Sequence, residues 1–213
     1  MLRGTHKHGA VLSCAIALAI VGCSSDSSMP TEMHDMAGLP VSAVAQASNA
    51  QALNDLRRLT APLHTEAAAI AAQYGLLILP PLTAPDGCIS DMSAGGMGYH
   101  YTQGDNLGDD SISLLDPEFL VYAPTKAAGD NVPRRLAALE YFIPYSATWP
   151  GPGPGVTPPS LGDFPSFAGL PDVAMSPTRF GGWAIHIWLW ENNPGGMLTN
   201  YNTSVPKCDG STF

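Results

Sequence analysis

The sequence predicts an α+β fold: an N-terminal helix packed on a curved, mainly antiparallel sheet of about four to six strands, with one long Pro/Gly-rich loop. Three observations carry this. Residues 49–73, NAQALNDLRRLTAPLHTEAAAIAAQ, place Leu53, Leu56, Leu59, Leu63, Ala67 and Ile70 at helical spacing, continued by Tyr74. Four later segments, GMGYHYT (96–102), EFLVYAP (118–124), RLAALEYFIP (135–144) and WAIHIWLW (183–190), are short, aromatic or aliphatic, and bounded by Gly, Pro or Asp. Between the last two runs a Pro/Gly-rich connection, residues 145–182. Helix and strands are segregated along the chain rather than alternating, which is the α+β pattern.

Each element has a local justification. Pro62 lacks the N–H a helix interior needs, so the helix is expected to break and restart with Thr60 as N-cap and Pro62 in the first turn. His64 lies beside the apolar stripe, and Gly75 is the expected stop. Trp149, Phe164, Phe167 and Phe180 give the long connection something to bury, so it should pack over the sheet; connections of this length tend to be functional. DNLGDDSISLLD (105–116) lacks the ligand spacing of a calcium loop and reads as a solvated turn.

The N-terminus, MLRGTHKHGAVLSCAIALAIVGCSS, pairs basic Arg3 and Lys7 with the apolar run Ala10 to Val21. That run is too short for the roughly 20 residues of a bilayer span and fits the hydrophobic region of an export signal. It ends in IVGC, which resembles the bacterial lipobox with Ile20 in place of the commoner leucine. The resemblance implies cleavage before Cys23, a diacylglyceryl group on its sulfur and anchoring in a lipid bilayer, the cell membrane or outer membrane, facing the periplasm or exterior. Ser24, rather than Asp, follows the cysteine, which favours the outer membrane in a host that has one. The division is then signal peptide 1–22, lipidated flexible tether 23–47 and one globular domain 48–213. The tether's MPTEMHDM tract carries Met29, Met33, His34 and Met36 but reads as linker. Export also disposes of the cysteines. Cys14 leaves with the signal and Cys23 carries lipid, so Cys88 and Cys208 remain for one disulfide in an oxidising compartment. No CxxC spacing supports zinc.

Removing residues 1–22 takes Arg3 and Lys7 from nine basic residues and nothing from 18 acidic ones, leaving a net charge of −11. Such a surface repels phosphate, which argues against nucleic acid as a partner. Twenty prolines and 22 glycines point to turns and loops rather than a helical bundle.

Alternation along the strands locates the chemistry. In WAIHIWLW, Ile185, Ile187 and Leu189 should meet the helix, and His186, Trp188 and Trp190 take the other face. In RLAALEYFIP, Glu140 shares a face with Ala138 and Phe142, and a carboxylate on so apolar a strand needs a partner. In GMGYHYT, His100 shares a face with Gly98 and Thr102. His100, Glu140 and His186 are therefore expected to share a cavity, lined by Trp188, Trp190 and Tyr101. Two histidines and a carboxylate suit one divalent transition metal, or the cluster binds a small ligand in the sheet cavity. They equally suit an acid–base trio, as in an envelope enzyme, or a structural hydrogen-bond network in a surface protein.

The segments GGMGYHY, FLVYAP, LAALEYFIP and HIWLWENNPGGMLTNYN, followed by Cys208, resemble a family of uncharacterised exported bacterial proteins over roughly residues 55–208. The matching positions are His100, Glu140, His186, Asn193 and Pro194, with Cys88 and Cys208 as the bridge. MLTNYN departs from relatives that carry an aromatic and a second proline there. The resemblance implies a common fold unit and no activity. No GxSxG, P-loop, HExxH or EF-hand pattern occurs.

Overall fold

The computed structural model describes residues 41–124 and 133–208; the expected signal peptide, Cys23 and the tether to residue 40 lie outside them. The α+β architecture is present. Helices α1 (Val41–Thr60) and α2 (Glu66–Ala71) precede strands β1 (Gly75–Leu76), β2 (Cys88–Asp91), β3 (Gly95–Thr102), β4 (Phe119–Pro124), β5 (Arg134–Pro144), β6 (Ser176–Pro177) and β7 (Gly182–Ile187). The sheet is antiparallel, in the order β1-β3-β4-β5-β7-β6, with β2 also pairing β3. The four expected strands carry it, and the short β1, β2 and β6 edge it.

The helical region differs from its sequence pattern at three points. α1 starts at Val41, eight residues before Asn49. Pro62 does break the helix, through a 3-10 turn at Ala61–Leu63, but Thr60 does not cap the restart. Its hydroxyl donates back to the Leu56 carbonyl, 2.8 Å, and Thr65 is the cap of α2, accepting from the Ala68 N–H. Gly75 is not the stop either, because α2 ends four residues earlier. Gln73 takes the left-handed position at φ 69°, where its N–H and that of Tyr74 reach the Ile70 and Ala69 carbonyls. The break rotates the buried face: Leu56 and Ala69 are fully buried, while Leu59 (46%) and Ile70 (56%) stay exposed.

One sheet face meets the helices through Leu56, Tyr101, Tyr122, Leu136, Leu139, Ile185 and Ile187. Polar staples fix the docking. The Tyr122 hydroxyl donates to the Leu63 carbonyl, the Leu136 N–H donates to the His64 carbonyl, and Glu66 takes both the Tyr101 hydroxyl and Arg134. The long connection covers the same core: Leu161, Phe164, Phe167 and Met175 are buried in it, Phe167 edge-on to Tyr141 at 4.8 Å. Cys88 and Cys208 form the expected disulfide, Cα atoms 5.6 Å apart across a separation of 120 residues. Among the described residues no helix is long and apolar enough to cross a membrane.

Candidate metal centre

The opposite face carries the polar residues. Glu140 and His186 are direct partners across β5 and β7, and His100 comes from β3 with β4 between. Convergence over that distance needs small neighbours beneath. Val121, Ala138 and Ala184 supply them, and Val121 and Ala138 pair in register under the cluster. A bulge in the β2–β3 pairing, with Gly98 at φ 93°, turns Met97 towards the same space as His100.

The three side chains meet. Glu140 Oε2 lies 3.1 Å from His100 Nε2 and 3.9 Å from His186 Nε2, and the two Nε2 atoms are 3.3 Å apart. The circle through three atoms at these separations has a radius of ~2.0 Å, the length of a metal–nitrogen or metal–carboxylate bond. All three residues are buried. The rings are held by packing: Phe119 stands edge-on to His100, and Trp188 stacks on His186 at 5.7 Å and 14°. Neither Nδ1 has a hydrogen-bond partner; the Asn200 side chain favours the protonated form of His186 without bonding Nδ1.

Burial holds the His186 ring down at about 4, against the pull of Glu140, so the ring is neutral near pH 7 and offers a lone pair. Burial pushes the Glu140 carboxyl up, but the two imidazoles outweigh it and hold the group below its ordinary range.

The cluster borders two spaces. One, of about 450 Å³, is lined by polar groups including Thr178, Arg179, Asn200 and Tyr201. The other, of about 130 Å³, is apolar, with Leu77, Leu107, Phe119 and Phe142 in its wall. His100, Glu140, Ile89 and Phe180 belong to both.

The expected pocket lining is partly corrected. Trp188 shields His186, its indole N–H donating to the Thr199 carbonyl at 2.6 Å. Trp190 is not beside the site: β7 ends at Ile187, alternation stops there, and the Trp190 indole turns to the helices, donating to Thr60 and meeting His64 edge-on. Tyr101, adjacent to His100 in an alternating strand, necessarily faces the helices, where burial and Glu66 push its phenol up to about 12. Residues outside the expected lining of Trp188, Trp190 and Tyr101 supply the outer wall. Met97 is turned in by the bulge, and Phe119 and Phe142 were legible from strand parity alone. Asn200 and Tyr201 depend on a loop built by Asn193, whose side-chain amide donates to Thr199 Oγ1 and the Tyr201 carbonyl. Buried Asn202 pins that loop to β3 by two backbone hydrogen bonds with Gly96.

Compared with protein-family models, curated proteins and solved structures, the chain matches none.

Proposed function

We propose that this is a lipid-anchored exported protein whose domain binds one divalent transition metal through His100 Nε2, His186 Nε2 and Glu140 Oε2, leaving a coordination position open to the larger cavity. The observation that carries this reading is the spacing of the three ligand atoms, which leaves one point ~2.0 Å from all of them. The rival reading, a structural hydrogen-bond network through the same Nε2 and Oε2 atoms, leaves the two buried Nδ1 atoms equally unpaired, and metal content separates the two. Metal-binding histidines usually pass their second N–H to an acceptor. Here no acceptor takes either Nδ1, and the rings are oriented by Phe119 and Trp188. Two oxygen- or nitrogen-rich ligand types and three protein ligands favour zinc, iron or manganese over a closed cysteine site. The IVGC segment and polar tail support the anchor, and the disulfide agrees with an oxidising compartment.

Elemental analysis of purified protein after reconstitution should give about one metal per chain, lost in His186→Ala. A wild-type protein that takes up no metal overturns the reading. For the anchor, Cys23→Ala should move the protein from the membrane fraction to the soluble one; unchanged partition overturns that part.

A further inference from the structure

The two spaces at the cluster differ in chemistry, and together they describe a ligand. The larger one has a single charged side chain in its lining besides the cluster, Arg179, stacked at the rim over Phe180 with its guanidinium carbon 5.7 Å from the ring centre. Among the described residues no carboxylate lies within ion-pair distance of Arg179. Its charge acts on Tyr201, which lines the same cavity, though there the opposite charge of Asp91 acts more strongly. An ion of charge +2 held by one carboxylate and two neutral imidazoles leaves a net +1 at the floor of the cavity. Arg179 adds an exposed, partly screened positive charge at its mouth. Asp91 offsets Arg179, so in a chain of net charge −9 it is the bound ion that makes the cavity floor locally positive, with Arg179 as the cationic side chain in the lining. It selects a small anion, and guanidinium geometry suits a carboxylate.

The smaller space sets the rest of the ligand. It lies against His100 and Glu140, is walled by Phe119, Phe142, Leu77 and Leu107, and has about 130 Å³. At the ~30 Å³ that a water occupies in the liquid, it holds about four carbon atoms. His100 and Glu140 border both spaces, so one molecule held at the ion has the larger, mixed cavity on one side and the apolar pocket on the other.

We propose that the metal-loaded site binds a short-chain aliphatic carboxylate, its carboxylate drawn to the ion and Arg179 and its chain seated between Phe119 and Phe142. This rests on the metal reading above. The test is calorimetric titration of the purified, zinc-loaded protein, with zinc content measured on the same sample, using acetate, butyrate, hexanoate, octanoate and hexanamide. Affinity should rise about two- to fourfold per added carbon as far as hexanoate and then level off. Hexanamide should bind at least tenfold more weakly than hexanoate. Arg179→Gln should weaken hexanoate about three- to tenfold with zinc content unchanged. Leu79→Trp, at a half-exposed position of the pocket wall, should flatten the dependence on chain length. Protein that holds zinc but binds all five probes alike overturns this inference and leaves the metal reading standing. Protein that holds no zinc overturns both.

Discussion

Glu140 is paired in register with His186 on the neighbouring strand, yet its nearest imidazole belongs to His100, two strands away, at 3.1 Å against 3.9 Å. The carboxylate is therefore closer to a ring from across β4 than to the ring of its own cross-strand partner. A cation at the point equidistant from all three atoms would meet each at about bonding distance, with Glu140 supplying the only negative charge among them. Glu140→Gln keeps the shape and removes the charge. At zinc concentrations 100-fold above the dissociation constant, the wild type should gain about 2.7 kcal/mol, a rise of roughly 5–10 °C in melting temperature. The variant should gain almost nothing. Equal zinc-induced shifts in the two proteins would remove Glu140 from the ligand set.

The disulfide ties the start of β2 to the far end of the described chain, and the Cys208 N–H reaches Ser90 Oγ beside it. Closing a loop of this length stabilises by about 4–5 kcal/mol in the chain-entropy model. The double variant Cys88→Ala/Cys208→Ala should lose 2–5 kcal/mol in urea unfolding. Non-reduced peptide mapping of the wild type should show one linked pair. Two free thiols would contradict the bridge.

Glu118 supplies a pH dependence separate from the cluster. Its side chain is buried, accepts the Phe142 N–H at 3.1 Å, and faces Asp109, Asp116 and Tyr141; burial chiefly pushes it up to about 8. The folded state thus holds this proton more tightly than the unfolded chain, in which the group titrates near 4.3. Its stabilisation is complete below that pH and is lost as pH rises through about 8. Glu118→Gln should remove a decline on the order of 2–4 kcal/mol between pH 5 and pH 9. The variant should then be the more stable protein at pH 9. Parallel wild-type and variant curves from urea unfolding at pH 5, 7 and 9 would show that Glu118 is not the group responsible.

Gly96 is fixed by what surrounds it. A Cβ there would sit 2.6 Å from the Val205 carbonyl oxygen and 2.7 Å from that of Pro206, both backbone atoms that cannot swing away. Gly96→Ala should cost about 2–3 kcal/mol by pushing the Asn202 segment off β3. Gly104→Ala, with nothing within 4 Å, should stay within ~0.5 kcal/mol of wild type. Comparable melting temperatures for the two variants would contradict this packing.

Much of the site was legible because strand parity is a strict code. Placing His100, Glu140 and His186 at mid-strand and off the helix-facing positions was enough to bring them to one face. The same code located Trp188 but misplaced Trp190, since parity holds only while the strand lasts and β7 stops at Ile187. Tyr101 belonged to the opposite parity from the outset. The helix caps were missed because Thr60 and Thr65 offer the same chemistry, and tertiary docking, with Leu136 and Arg135 pairing beside His64 and Thr65, decides between them. The cavity wall at Asn200 and Tyr201 has no local signature at all. It exists through contacts between residues far apart, such as Gly96 with Asn202.

The three cluster residues also set an order of events. His100 and His186 stand 86 residues apart with Glu140 between, on strands β3, β5 and β7 that come into one sheet only when the whole of it is paired. No local stretch of chain offers more than one of them, unlike a zinc finger whose paired ligands can capture metal while the rest is still unfolded. Pairing of such distant strands is among the slower steps of folding. On the metal reading proposed above, a newly made chain would carry no ion in advance, and metal content would report how much of the population has finished folding.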